Sequence, residues 1–166
     1  MNGSAGTADE LLAIYLNDHL AGATGGRDLA RRIARSQRGA SGARELGRLA
    51  AEVAEDARAL QDIMRRLGIP IRRYKMLLGW AGEKAGRLKS NGYVVRRSPL
   101  SSLLELEAMR LGVEGKASGW RTLRELADTD PRLDPDRIDT LLERARTQSE
   151  TLQELRVRRA AEVFAG

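Results

Sequence analysis

A chain of 166 residues, 42% apolar and 31% charged, is long enough to bury a core and too apolar for disorder. It has no cysteine, which excludes disulfides, thiolate zinc sites and a cysteine nucleophile. The formal charge of +6 is local: residues 65–97 hold ten basic groups and one acid, a net of +9, and the remainder is net −3.

Thr7-Ala8-Asp9-Glu10 has the Thr-x-x-Glu form of a capping box, so the first helix is expected to open at Thr7. Leu12, Leu16, His19, Ala23, Gly26, Ala30 and Ile33 then recur at helical spacing to about Ser36. Gly22, Gly25 and Gly26 weaken this segment, each by about 1 kcal/mol relative to alanine. The stripe keeps its phase across them, so one continuous helix is expected. After the turn-like Gly39-Ala40-Ser41-Gly42, the second helix carries Leu46, Leu49, Val53, Ala57, Leu60, Met64 and Leu67 inward, and Gly68 and Pro70 end it.

A crossover over residues 68–97 follows, with a short helix from about Arg72 to Lys89 and a stop at Asn91-Gly92. The third long helix takes Ser98 as its N-cap and Pro99 as its first residue and runs to about Ala127. Its expected inward stripe is Leu100, Leu104, Leu111, Ser118 and Thr122. Asp134-Pro135 starts the fourth, which runs to about Phe164 through Ile138, Leu141, Leu142, Ala145, Leu152, Ala160 and Val163. No strand-period segment competes. Four rods of ~33 to 45 Å bury such stripes best as a near-parallel bundle forming a single domain over residues 1–166. The short loops make the first and second, and the third and fourth, antiparallel hairpins. The long crossover lets the third run parallel to the second.

No run approaches the roughly 18 apolar residues of a membrane span. Residues 1–10 lack the basic start and apolar stretch of a signal peptide, so a cytoplasmic protein is expected.

Tyr15-Leu-Asn-Asp-His-Leu20, Ala54-Glu-Asp-Ala-Arg-Ala-Leu60, Glu105-Leu-Glu107 and Leu111-Gly-Val-Glu114-Gly, placed on these helices, resemble the uncharacterised bacterial ferritin-like proteins. The resemblance implies an all-α, ferritin-like four-helix bundle with a short extra helix in the crossover. Metal-binding members of that superfamily use a glutamate on each of two helices and Glu-x-x-His on each of the other two. This chain has one histidine, His19, and no Glu-x-x-His, so a standard di-iron site cannot be assembled. The resemblance therefore implies a fold without ferroxidase or oxygenase chemistry. No cofactor is expected.

Matching helix levels places His19 near Asp56, Glu114 and Gln148, a candidate polar layer inside the bundle. Its members must hydrogen-bond one another to offset desolvation. One imidazole and two carboxylates are also a degenerate metal or small-ligand site, although fixing helix register is the expected role. Leu106, Val113 and Trp120, with Met109 beside them, form a second apolar stripe on the third helix. With Met76 and Trp80 of the crossover helix they are read as a partner-binding face of a homodimer. Gly79, Gly82 and Gly86 share one spacing with Gly112, Gly115 and Gly119, as if the crossover helix lay against the third helix through bare backbone. Leucine at Gly82 or Gly115 would then be strongly destabilising.

Arg72, Arg73, Lys84, Arg87, Arg96 and Arg97 surround Tyr74, Trp80 and Tyr93, an arrangement that suits nucleic acid or an anionic membrane surface. A solvated face is the simpler reading. No Gly-x-Ser-x-Gly is present and the one histidine lies on an apolar stripe, so the residues lean away from an enzyme. They favour a non-catalytic binding or structural, oligomerising module.

Overall fold

Four long helices close on one another around a shared apolar core. The computed structural model describes residues 3–72 and 99–165. Helix α1 spans Gly3–Ser36, α2 Ala43–Arg66, α3 Pro99–Ala127 and α4 Pro135–Phe164, with no strand among the described residues. The crossover helix, the Ser98 cap and the triplet Gly79, Gly82 and Gly86 lie outside the described residues. So do the candidate site residues Arg73, Met76, Trp80, Lys84, Arg87, Arg96 and Arg97.

Helix α1 is continuous through its glycines, because Leu16, Leu20, Leu29, Ala30 and Ile33 on either side of them are buried. It opens four residues before the expected capping box, so Thr7 sits inside the helix. The second helix buries every residue of its expected stripe. Its start depends on Gly42, whose φ of 88° lies in the left-handed region and whose added Cβ would collide with Leu155 Cδ2. Helix α4 starts as read from the sequence: the Asp134 side chain accepts from Arg137 N at 3.1 Å, with Pro135 in the first turn.

Cross-helix bonds give the direction of each rod. Between α1 and α3, Tyr15 bonds Thr122 and Arg32 bonds Glu105, so these two are antiparallel neighbours. Arg137 bonds Asp62 and Arg144 bonds Glu55, making α4 antiparallel to α2. Arg124 reaches Asp139 while Arg156 lies beside Glu107, making α3 and α4 antiparallel too. Helices α2 and α3 therefore run the same way and face each other across the core. At the end of α2, Gly68 at φ 72° turns the chain across α1. There Asn17 donates to Pro70 O at 3.1 Å and accepts from Arg72 N at 2.7 Å, fixing where the crossover leaves.

The inward face of α3 is the opposite of the one expected. Leu106, Val113 and Trp120 are 2%, 1% and 2% exposed and belong to the central core, whereas Leu111 is 69% exposed and Ser118 and Thr122 face outward. A side chain packed inside this bundle cannot meet a second copy. The ground for reading these three as a partner-binding face is therefore removed.

Candidate functional site

Glycines of α1 and α3 face one open space along a stretch of the pair. Gly22 and Gly26 of α1 and Gly112, Gly115 and Gly119 of α3 wall a cavity of about 450 Å³. Its floor reaches α2 at Val53, Ala57 and Leu60, and Leu16, Met109 and Trp120 supply further apolar wall. The lining residues Asp18, Leu111, Gly112 and Gly115 are exposed, which places the mouth on the α1–α3 side. The α3 glycine face is turned to this cavity and to α1. A Cβ at Gly112 or Gly115 would meet nothing within 4 Å among the described residues, so no described neighbour packs closely on these two glycines.

At Gly119 it does. A Cβ there would stand 3.0 Å from His19 Nδ1 and 3.1 Å from Cε1, and the His19 ring also makes an edge contact with Tyr15 at 4.5 Å between centroids. Alanine at Gly112 is expected to raise stability by about 0.5–1 kcal/mol through helix propensity. Alanine at Gly119 should lose that gain, because the wedged imidazole has to move. Urea unfolding of the two variants checks the contrast, and equal gains would contradict the His19–Gly119 contact.

The polar layer forms without His19. Asp56, 2% exposed, receives Lys116 Nζ on Oδ2 and pairs with Arg144 through Oδ1. Gln148 joins the pair, its Oε1 accepting from Lys116 and its Nε2 donating to Glu52 at 3.0 Å and Asp56 at 3.3 Å. Of the expected four, Asp56 and Gln148 therefore meet. Glu114 instead lies on the exposed side of α3 and accepts from Ser149 Oγ at 2.7 Å. His19 is half-buried on the cavity wall against Gly119. The level was legible but the azimuth around each helix was not. The degenerate metal reading fails for the same reason: among the described residues no three His, Cys, Asp or Glu side chains gather. Asp56 is already engaged by two cations.

Lys116 was not singled out from the sequence, although a signal existed. It is the only lysine on the four long helices and sits between Val113 and Trp120, on the stripe that turns out to be core. Its side chain is 15% exposed, and it lines the cavity together with Asp56. Of the anion-binding candidates only Arg72 is described, and its backbone is tied to Asn17. No family model, curated protein or solved structure matches this chain.

Burial lowers the pKa of both bases on the cavity wall. His19 falls below 6.5, with Asp18 pulling the other way. Lys116 falls below 10.5, opposed by the charge and hydrogen bond of Asp56, helped downward by Arg144, and raised a little by Glu52. For a base whose folded pKa lies below its free value, the unfolded chain binds more protons in the interval between them, so stability rises with pH there. Below the interval the penalty is complete; above it, none remains. The chain's only histidine should titrate below 6.5 by NMR, and stability should climb as pH approaches 6.5 from below. His19→Gln should flatten that climb, and an unchanged slope would contradict the burial assignment.

Proposed function

We propose that this protein is a non-catalytic, ferritin-like helical-bundle module that binds a small, largely apolar molecule in the cavity between α1, α2 and α3. The observation that carries the proposal is the cavity itself. Small-molecule sites span about 300–1,000 Å³ and are mostly apolar with a few placed polar groups. Here the polar groups are His19, Asp18 and the Lys116–Asp56 pair. The indole N–H of Trp120, also on the wall, is buried with no hydrogen-bond partner among the described residues. The ferritin-like reading is supported by two antiparallel hairpins whose middle helices run parallel. No helix among the described residues is long and apolar enough to cross a membrane.

Trp120 is the natural reporter. In a Trp80→Phe background, N-phenylnaphthylamine, a neutral apolar fluorophore, should bind saturably and quench Trp120 emission. Gly115→Leu places a side chain in the open space and should abolish that binding while circular dichroism stays helical. Absence of saturable binding, or equal binding by Gly115→Leu, would refute the site.

A further inference from the structure

Lys116 has a combination of neighbours that simple ligand packing does not require. Lys116 and Asp56 both line an apolar cavity, and the Lys116 amine is bonded to the carboxylate of Asp56 and the amide oxygen of Gln148. The charged groups lining the cavity are Asp18 at the mouth and the Lys116–Asp56 pair inside, a net of one negative charge with His19 neutral. A carboxylate ligand would be repelled by this lining, and to reach Lys116 it would have to displace Asp56. A neutral ligand meets no such penalty.

Resting on the cavity-binding reading above, we propose that Lys116 forms a reversible imine with a neutral, largely apolar aldehyde held in this cavity. The amine nitrogen bonds to the carbonyl carbon and the carbonyl oxygen leaves as water. An ammonium and an aldehyde thus give a protonated imine and water, with no oxidant or reductant. The product keeps one positive charge beside Asp56, so the buried ion pair is conserved across the reaction. The carboxylate can hold the proton that the amine gives up on attack and return it to the departing oxygen. Lysines in apolar surroundings suit this chemistry because burial disfavours the ammonium and frees the nucleophile. The burial that lowers the pKa of Lys116 acts in that direction.

The chain has only four lysines, Lys75, Lys84, Lys89 and Lys116, so the site of reaction can be read directly. The full-length protein is treated with decanal and cyanoborohydride, and the reduced adduct is mapped by peptide mass spectrometry. Binding of decanal and of the corresponding alcohol is followed in parallel by Trp120 emission in the Trp80→Phe background. The expected result is one adduct, on Lys116, forming at least about tenfold faster than on any other lysine, because the cavity holds the aldehyde beside this amine. Excess alcohol should suppress it. Lys116→Arg keeps a cation for Asp56 while removing the nucleophile, and should still bind the alcohol but give no adduct at position 116. If the alcohol binds yet decanal reacts at all lysines alike, the imine is overturned and the cavity reading stands. If neither ligand binds, both fall.

Discussion

Asp56→Ala is expected to lower the unfolding free energy by about 3–5 kcal/mol, because it strands two partly buried cations. Lys116 would lose its hydrogen-bonded carboxylate and keep only the Gln148 oxygen. Arg144 would fall back on Glu55, which already accepts from its Nη1 at 3.0 Å nearer the surface. The loss would measure an uncompensated buried charge more than the worth of the pair. A buried ion pair is often no more stabilising than an apolar replacement of similar volume. Asp56→Leu combined with Lys116→Leu should therefore recover most of what Asp56→Ala loses. Urea unfolding of the single and double variants gives the coupling directly. A loss below about 1 kcal/mol for Asp56→Ala would mean that water reaches this cluster, and the reading of Lys116 as desolvated would fail with it.

Why such a cluster sits in a bundle whose core could be apolar follows from its geometry. It links α2, α3 and α4 at one level through groups that can satisfy each other at only one vertical offset. Sliding α4 by one turn, about 5.4 Å, would part Gln148 from Asp56 and Glu52 together. Apolar stripes alone tolerate such a slip far better, since leucine packs against leucine one turn along. We propose that the layer holds the helices in register, the role expected of it from the sequence, with Lys116 and Arg144 in place of His19.

The parts of this fold legible in the sequence were those set by local chemistry. Asp134-Pro135 starts α4 as read, and Gly68 turns the chain at the end of α2, because a cap or a left-handed residue acts over a few neighbours. The second helix was also legible in its facing, since its apolar residues form one narrow stripe and its other faces are charged. What was not legible is what depends on azimuth. Helix α1 presents His19 to α3 and not to the bundle centre, a rotation that the spacing of Leu12, Leu16 and Ala23 does not resolve. The cavity was invisible for a related reason. Gly22 and Gly115 lie far apart in sequence, and only the antiparallel pairing of α1 and α3 sets their bare backbones on one space.

The facing of α3 is the sharpest instance, and the second large effect tests it. Trp120→Ala is expected to cost about 3–5 kcal/mol, as removal of a buried aromatic side chain does, whereas Leu111→Ala, at 69% exposure, should stay within about 0.5 kcal/mol. Two stripes compete on this helix, and the apolar residues of both repeat at helical spacing. The stripe of Leu100, Leu104 and Leu111 ends in Ser118 and Thr122. In the folded chain their hydroxyls donate back to Glu114 O at 3.1 Å and Ser118 O at 3.2 Å, which suits an outward face. The other continues through Leu103, Leu106, Met109, Val113, Ala117, Trp120 and Leu123, all buried, and Lys116 beside them finds Asp56. Burying that longer ridge removes more apolar surface from water, at roughly 25 cal/mol per Å², so the helix turns that way. Because Trp120 also walls the cavity, its loss should enlarge the space and weaken binding of the apolar probe along with stability. A stable Trp120→Ala beside a strongly destabilised Leu111→Ala would reverse the facing of α3, and the cavity would go with it.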